Sequence, residues 1–371
     1  MGNKERWGSA GILAATTLGA GIFALPYIFK ESGWLTGLFY LAALSGIVIF
    51  THFLYWQTFA KVGEKKRLLG LTEKYLGNAA GLFAFVVIVA GLILTLVVYL
   101  ILASHFLKLI FPHTSEVAGV FIFWILASLP IIFKLRWFAG FELLGALFMT
   151  AIIIFIFLSA GNLTAGFSNI AAINFKNIFL PFGPILFALA GWTAIEPLFE
   201  YEKKAGRINS SPLAILFLGT GVVAALYLLF TFGILGSSPE VAPDTVSGLI
   251  NWPVWKLGLL GLLGIFAIWT SYVPIAREIR NILERDAGWP TILGFCFVLF
   301  TPPLLIMFGL NNFLAVVGLV GGVFLSLQYV FIIRVAHKAL SLGKSEQILS
   351  ALVITLFSLG AVYEIYNFVI Q

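Results

Sequence analysis

Residues 16–26 read Thr16-Thr17-Leu18-Gly19-Ala20-Gly21-Ile22-Phe23-Ala24-Leu25-Pro26, so two glycines and a proline fall close together in an apolar segment. In the interior of an α-helix, Gly costs about 1 kcal/mol and Pro about 3 kcal/mol relative to Ala. The cluster therefore predicts a helix that is split into two halves around an unwound link.

A second stretch repeats this arrangement. Residues 181–197 read Pro181-Phe182-Gly183-Pro184-Ile185-Leu186-Phe187-Ala188-Leu189-Ala190-Gly191-Trp192-Thr193-Ala194-Ile195-Glu196-Pro197. Gly191 lies six residues before Pro197, much as Gly19 lies seven before Pro26. Close helix packing is the alternative explanation for glycines in a chain that contains 37 of them. Glycine and proline at matched places nevertheless favour a second broken helix.

The composition excludes a water-soluble fold. Of the 371 residues, 61% are hydrophobic and 10% are charged, whereas soluble domains contain roughly 25% charged residues. A membrane-spanning helix needs about 20 mostly apolar residues. Eleven segments satisfy this requirement, near residues 8–29, 35–58, 79–107, 117–133, 138–160, 178–199, 211–235, 253–274, 289–308, 313–334 and 347–370. The sequence therefore predicts an all-α polytopic membrane protein.

The basic residues predict the orientation of the chain. Lys and Arg are enriched in the cytoplasmic loops of membrane proteins, and a cytoplasmic N-terminus puts most of the 22 Lys and Arg residues inside. The exceptions are Lys30, Lys108, Lys176 and Lys256. With eleven spans the C-terminus is then extracellular, and we expect a multi-pass protein of the plasma or inner membrane. Because this topology explains the net charge of +6, the expected partner is the lipid bilayer and not nucleic acid.

The spans form two blocks of similar length. Spans one to five cover about residues 7–160 and spans six to ten about 178–334, and the two blocks begin on opposite sides of the membrane. This is the topology of an inverted five-plus-five repeat with one peripheral helix, at about 347–370. Since no connection is long enough for a soluble domain, residues 1–371 are predicted to form a single membrane domain. In transporters with this layout, broken helices hold the substrate at the midplane of the membrane.

The two interrupted segments resemble a known family. Gly19-Ala20-Gly21-Ile22-Phe23-Ala24-Leu25-Pro26 is similar to the G-x-G-I-F-x-L-P signature in the first helix of the amino acid–polyamine–organocation superfamily. Residues 187–197 resemble its F-A-x-x-G-F-E-A-I-P-E segment, with Thr193 in the acidic position and Glu196 and Pro197 in reversed order. The eleven spans are similar to the amino acid/auxin permease branch. The resemblance implies the leucine-transporter fold, with spans one and six broken, and amino acid transport.

The resemblance also implies roles for residues in other spans. Tyr99 corresponds to a tyrosine near the substrate carboxylate, and Trp192 to an aromatic gate; packing is the alternative role for both. The implied ligands of a sodium ion are the hydroxyls of Thr270 and Ser271 with carbonyl groups near Ala15 and Leu18. Adjacent hydroxyls in a membrane helix can instead bond to the preceding turn.

The chemistry of a broken helix predicts how an amino acid would bind. The break leaves N–H groups unpaired at the start of one half and C=O groups unpaired at the end of the other, and the helix dipoles add partial charges. We expect the carboxylate on the amides of Ala20 and Gly21, beside Gly19. The ammonium group would meet carbonyl groups near Thr16, Thr17, Phe187 and Ala188. The side chains expected around the substrate are those of Phe23, Phe187, Trp192 and Thr193, next to Gly191. They indicate a neutral amino acid that is apolar, aromatic or small.

Charged groups inside the membrane are costly, so each is a candidate functional residue. Glu196 is a candidate proton carrier or partner of an inner gate. Glu142 and Glu364 lie near the ends of their spans, and we expect both carboxylates to reach the membrane interface. His52 and His105 are expected to form hydrogen bonds between helices, with proton relay as the alternative.

Together these observations predict a secondary transporter that moves a neutral amino acid by alternating access, coupled to Na⁺ or H⁺, with no enzymatic activity and no cofactor. An amino-acid-sensing receptor subunit on the same scaffold, as in germinant receptors, is the alternative. A channel is disfavoured because only two helices are interrupted. No nucleotide-binding loop or metalloprotease motif occurs in the sequence. A monomer is expected; the amino acid, the ion, the direction of transport and the oligomeric state are left open.

Overall fold

The computed structural model describes residues 3–63, 67–132, 141–160, 170–207, 212–238, 240–249 and 252–370. All regular secondary structure in these ranges is helical, as the sequence predicts. The α-helices are α1 (Asn3–Thr17), α2 (Leu25–Ser32), α3 (Trp34–Val62), α4 (Leu68–Leu76), α5 (Asn78–Ile110), α6 (Glu116–Ile132), α7 (Phe141–Leu158), α8 (Phe182–Ala188), α9 (Ile195–Lys204), α10 (Pro212–Ser237), α11 (Val254–Asn281), α12 (Thr291–Met307), α13 (Phe313–Gly318), α14 (Ser326–Ala339) and α15 (Lys344–Ile370). Short 3₁₀ turns lie at Ala20–Ala24, Phe175–Asn177, Trp192–Ala194 and Val246–Leu249, and π-helical turns at Ile282–Asp286 and Leu319–Leu325.

Each of the eleven predicted segments contains a helix, but the helices differ in length. Among the described residues, seven are long and apolar enough to cross a membrane, and a bent pair forms an eighth candidate. Three apolar helices are shorter, namely Glu116–Ile131, Leu144–Leu158 and Thr291–Met307. The polytopic all-α architecture is therefore confirmed, whereas eleven crossings and the inverted repeat stay predictions.

The helix α5 is among the most buried candidate spans of the described residues. In its apolar window 78% of the residues are buried inside the protein, against 28% in α15. The long helix α5 packs against α4, α6 and α11, so apolar side chains cover it on most sides. The low burial of α15 agrees with a peripheral helix.

Close contact between two elements prepares the site. The helix α8 packs directly on the π-helical turn Leu319–Leu325, which joins α13 to α14 in one continuous rod. A β-carbon built on Gly321 would overlap the carbonyl oxygen of Gly183. Glycine at position 321 therefore lets the two backbones approach.

Candidate functional site

The first predicted break lies between α1 and the 3₁₀ turn Ala20–Ala24. The helical segments on either side of it, Arg6–Thr17 and Ala20–Ser32, are bent by 59°. Gly19 links them in an extended conformation, with φ −142° and ψ −165°, and its position carries no side-chain cap. The amides of Ala20 and Gly21 thus begin a helical segment, where N–H groups lack partners within the helix.

The second predicted break lies between α8 and the 3₁₀ turn Trp192–Ala194. Its link consists of Leu189, Ala190 and Gly191. The whole stretch Phe182–Lys204 nevertheless counts as one candidate membrane span. The prolines stand in the first turn of each following half, with Pro26 in α2 and Pro197 in α9. A missing N–H costs little in a first turn, because that group has no helical partner there.

The two breaks touch each other through glycines. A β-carbon built on Gly21 would lie 2.5 Å from the Ala188 Cα atom, which is backbone and cannot turn away. A β-carbon on Gly191 would overlap the Thr17 hydroxyl. These glycines therefore serve the packing of one break on the other, so the packing explanation and the broken-helix explanation hold together.

Tyr227 of α10 bridges the carbonyl ends of both breaks. Its hydroxyl oxygen lies 2.6 Å from the Ala188 carbonyl oxygen and 3.1 Å from that of Thr17, and its single proton can be donated to either. Two of the carbonyl groups predicted for a substrate ammonium group therefore share one donor. Tyr227 was missed by sequence reasoning, because a lone tyrosine in an apolar span gives no signal of its own.

The amide end of the second break is held by another pair. The Gly191 N–H donates to the Tyr329 hydroxyl, which lies 3.3 Å from the His52 Nε2 atom. His52, in α3, and Tyr329, in α14, are both buried. His52 is thus a hydrogen-bond partner between helices, as predicted.

A cavity of about 80 Å³ lies where the two breaks meet. Ten of the twelve predicted substrate-binding residues line it, namely Thr16, Thr17, Gly19, Ala20, Gly21, Tyr99, Phe187, Ala188, Trp192 and Thr193. The lining residues that sequence reasoning missed are Gly91, Leu92, Thr95, Ala190, Ile275, Val320, Leu325 and Gln328. All of these residues are uncharged, and most of the missed ones come from helices whose sequence gives no sign of a break.

Phe23 and Gly191 lie outside this lining. The Phe23 ring makes edge contacts with Phe106 and Phe230, with ring centroids 5.1 and 5.3 Å apart. It therefore belongs to an aromatic core and not to the cavity wall. Gly191 is turned toward Thr17 and Leu13, so it shapes the break without facing the cavity.

Trp192, the predicted gate, is held in place by Gln328, a residue that sequence reasoning did not identify. Its indole N–H donates to the Gln328 Oε1 atom over 2.8 Å. The Gln328 amide in turn lies 3.4 Å from the Val87 carbonyl oxygen. Since Gln328 is buried and stands in α14, the orientation of Trp192 depends on a helix far away in sequence.

The predicted sodium ligands of α11 bond to their own helix. The hydroxyls of Thr270 and Ser271 both donate to the Ala267 carbonyl oxygen, at 2.9 and 3.1 Å. This is the alternative that the sequence left open. Ser271 also interacts with the hydroxyl of Tyr99. Ala15, Leu18, Thr270 and Ser271 all lie outside the cavity lining, and a sodium site there stays a prediction.

Ion pairs close the end of the bundle that we predict to be cytoplasmic. Arg67, just before α4, lies with its Nη1 atom 3.0 and 3.1 Å from the two carboxylate oxygens of Glu278. Its Nε atom lies 4.0 Å from Glu196. A cavity of about 20 Å³ beside these groups also touches Trp192 and Thr193 of the central cavity.

A larger cavity continues this line of spaces. It has a volume of about 640 Å³, and its lining includes Arg67 and Glu196 with Arg285 and Asp286. Because neighbouring cavities share lining residues, they follow one another from the charged end to the helix breaks. Arg67 and Glu196 line both of the cavities at the charged end.

A loop covers the opposite end. The Thr245 hydroxyl donates to the Phe23 carbonyl oxygen at 2.5 Å, which ties residues 240–249 to the first interrupted helix. Asp244 pairs with His105 at the end of α5. Burial opposes ionisation, but this histidine holds the pKa of the Asp244 carboxyl below its ordinary value. The prediction that His105 bonds to another helix is wrong, because the loop folds back onto α5.

Two predicted interfacial carboxylates have different outcomes. Glu364 is buried, and its Oε1 atom accepts the Gly183 N–H over 3.1 Å. The prediction that it reaches the interface is wrong, because α8 offers it an amide. The side chain of Glu142 lies outside the described residues. No group of three metal-ligating side chains occurs within the described part of the chain.

Residues 3–235 match the family described as "Transmembrane amino acid transporter protein". Among curated proteins, none matches the sequence.

Three solved structures share the fold. MhsT, in complex with L-phenylalanine, has a TM-score of 0.66 at 18% identity, covering 96% of this chain and 97% of that one. Mhp1, a nucleobase-cation-symport-1 family transporter with bound bromovinylhydantoin, has a TM-score of 0.60 at 12% identity, covering 88% and 77%. The Eremococcus coleocola manganese transporter, in complex with an aromatic bis-isothiourea compound, has a TM-score of 0.59 at 12% identity, covering 98% and 94%.

Proposed function

Because this chain belongs to the family of transmembrane amino acid transporter proteins, we propose that it carries a neutral amino acid across the membrane by alternating access, coupled to Na⁺ or H⁺. It is a non-enzymatic transporter of the amino acid–polyamine–organocation superfamily with the leucine-transporter fold. The single observation that carries the substrate class is the uncharged cavity between the two helix breaks.

The cavity suits the two charged ends of an amino acid. The amides of Ala20 and Gly21 would receive the carboxylate, since helix N-termini bind anions. Carbonyl oxygens near Thr16 and Phe187 would receive the ammonium group, together with the lone pairs that Tyr227 leaves free at Ala188. Each contact with a helix end is worth up to about 2 kcal/mol in a partly buried site. Several such contacts would give micromolar to millimolar affinity.

The lining argues for a neutral side chain. A cationic or anionic side chain would be desolvated among uncharged groups, which costs several kcal/mol per unpaired charge. A water molecule takes up about 30 Å³ in the liquid, so the volume of about 80 Å³ corresponds to about three water molecules. That volume suits a compact substrate. A neutral amino acid is also what the similar structure of MhsT contains.

The closed ends suggest how access alternates. Opening toward the predicted cytoplasm requires Arg67 to part from Glu278 and Glu196, after which the cavities described above would join. Opening on the other side requires the Thr245 hydroxyl to leave Phe23. Since Glu196 and Phe23 belong to the two interrupted helices, movement of these helices would open one end while the other stays closed.

Uptake by the purified protein in proteoliposomes tests this proposal. Labelled L-alanine, L-serine, L-leucine and L-phenylalanine represent neutral substrates, and L-lysine and L-glutamate are the charged comparison. We expect at least one neutral amino acid to accumulate under an imposed sodium or proton gradient, with no accumulation of the charged pair. Binding without uptake would support a sensor instead, and preferred uptake of lysine or glutamate would contradict the substrate class.

A further inference from the structure

Glu364 occupies a socket that three glycines create. It stands on the peripheral helix α15 and lies against α8 and the turn Leu319–Leu325. β-Carbons built on Gly183 and Gly322 would overlap its carboxylate and its Cγ atom, and one on Gly318 would lie 2.9 Å from its Oε2 atom. The site therefore has room for the Glu364 side chain only because three neighbouring residues are glycines, which carry no side chain.

The hydrogen bonds of α8 explain the single donor that Glu364 receives. The Phe182 N–H donates to the Phe179 carbonyl oxygen and the Ile185 N–H to that of Pro181, at 3.1 and 3.0 Å. Pro184 has no N–H. The amide of Gly183 is what remains in this turn, and it donates to Glu364 over 3.1 Å. The carboxyl group thus completes the first turn of the outer half of span six.

No cation balances this carboxyl group in the described ranges. Neither α8 nor residues 313–325 contain a titratable side chain, and Gly183 is the one hydrogen-bond partner that acts on Glu364. Tyr363, on the same helix, is a titratable neighbour that interacts electrostatically with Glu364. The helix α14 also packs against α15, and its titratable residues are Tyr329, Arg334, His337 and Lys338. An ionised carboxylate in such surroundings is costly, and binding a proton removes the cost.

A small cavity gives this carboxyl group a route to water. Its volume is about 30 Å³, and Glu364 lines it together with Gly318 and Asn367. At about 30 Å³ per water in the liquid, this space holds about one water molecule. Leu180 and Leu314 also line this cavity. They lie near the starts of spans six and ten, on the side that we predict to be extracellular. A proton from that side would therefore reach Glu364.

The elements around Glu364 also form the substrate cavity. Its partner helix α8 begins at the Glu364 socket and ends at Phe187 and Ala188, which line the cavity. Val320 and Leu325 of the adjoining π-helical turn line it as well. A change at Glu364 acts on one end of α8, and the substrate meets the other.

From this placement we propose that Glu364 is a proton-binding site that controls the outer half of span six from the extracellular side. The inference rests on the proposed function. Ionised, the carboxylate accepts the Gly183 N–H in a charge-assisted bond and anchors α8. When a hydronium ion gives its proton to the carboxylate, one O–H bond of that ion breaks, a water molecule leaves, and the new O–H bond neutralises the carboxylate. Its bond to Gly183 becomes about half as strong, so α8 moves more easily and uptake rises.

Uptake as a function of external pH tests the proposal, with Glu364→Gln as the main variant. Its side-chain oxygen still accepts the Gly183 N–H but carries no charge at any pH. Between about pH 5 and pH 8, where most proteins stay folded, wild-type uptake should rise as the external pH falls. The rise can reach about tenfold per pH unit, the limit for one proton. The variant should be as fast at high pH as the wild type at low pH.

Glu346→Gln is the matched control, because Glu346 stands in the first turn of the same helix and accepts the Gly343 N–H over 2.9 Å. It should keep the wild-type pH dependence. Glu364→Asp retains an ionisable group and should keep part of it. Unchanged pH dependence in Glu364→Gln, with normal folding by size-exclusion chromatography, would overturn the inference.

Infrared spectroscopy separates failure of this inference from failure of the proposed function. The C=O band of a protonated carboxyl group should titrate in the wild type and be lost in Glu364→Gln, without any substrate. If no amino acid of the panel is transported, the proposed function fails while this band still reports on the proton site. If transport is intact but the wild-type spectrum minus the Glu364→Gln spectrum contains no titrating carboxyl band, the proton site is refuted.

Discussion

The two interrupted helices have nearly the same sequence pattern but different shapes. The first bends by 59° at its break, whereas Phe182–Lys204 stays within the shape of a single crossing. In the second link, the Leu189 and Ala190 N–H groups still bond to Ile185 and Phe187, at 3.0 and 3.2 Å. Gly19 instead is extended. Glycine and proline therefore predict where a helix breaks, and the hydrogen bonds that survive in the link decide how far it bends.

The two breaks also differ in what holds them. The first is tied to a loop, since Thr245 donates to the Phe23 carbonyl oxygen. The second is held by side chains of α14, through Tyr329 and through Gln328. The Tyr227 hydroxyl reaches the carbonyl groups of both breaks. A loop therefore holds the first break, and a neighbouring helix holds the second.

The largest effect is expected where the two breaks meet. Gly21→Val puts a branched side chain against the Ala188 backbone, where even a β-carbon would lie 2.5 Å from the Cα atom. An overpacking cost of 1–3 kcal/mol should weaken substrate binding by about 10- to 100-fold. Equilibrium binding in detergent checks this. Gly46→Val in α3 is the control, because a β-carbon there meets nothing within 4 Å. Unchanged affinity in Gly21→Val would refute the proposed site.

Removing the shared hydroxyl should loosen both breaks. Tyr227→Phe leaves the carbonyl groups of Thr17 and Ala188 without their donor, and a buried unsatisfied group costs about 1–3 kcal/mol. We expect lower thermal stability and weaker binding together. Tyr272→Phe is a suitable control, since Tyr272 is also buried but packs against Phe123 away from both breaks. If the two variants have equal effects, Tyr227 does not bridge the breaks.

A smaller effect is expected at the hydrogen bond between Trp192 and Gln328, because it holds the second break and not the first. Gln328→Ala removes the acceptor of the Trp192 indole N–H. The loss of one hydrogen bond, about 1 kcal/mol, should weaken substrate affinity by about fivefold. It should also make the Trp192 indole more accessible to a fluorescence quencher. Asn312→Ala, which removes an exposed cap on α13, should leave affinity unchanged. Affinity equal to wild type in Gln328→Ala would show that Trp192 needs no fixing.

The smallest effect is expected at the loop that holds the first break. Asp244 has a lowered pKa, so its ionised form stabilises the folded state above its unfolded pKa of about 4, and this contribution is lost as the pH falls through the lower folded value. Asp244→Asn should therefore be less stable than wild type near neutral pH, and the difference should shrink in acid. Thermal unfolding at both pH values measures it. Glu240→Gln, an exposed change in the same loop, should show no such dependence.

Part of the site could be predicted from sequence because its chemistry is local. Residues 16–21 and 187–193 lie at the interruptions, and the backbone groups of a break stay at the break in any packing. The sequence also shows that both stretches are uncharged. Neither contains an acidic or basic residue, and Glu196 is the first charged residue after residues 187–193. By contrast, Gln328 and Tyr227 are distant in sequence, and nothing in their own segments indicates a break.

The sequence by itself determined that the chain is a helical membrane protein, where its two helices break, and that the groups at these breaks carry no charge. Only the tertiary structure decided that Phe23 faces an aromatic core, that Glu364 is buried against Gly183, and how far each broken helix bends. The physical reason is that apolar content and glycine–proline placement act along one helix. The direction that a side chain faces depends on its neighbours, and in a chain so rich in apolar residues every side of a helix can meet either lipid or protein.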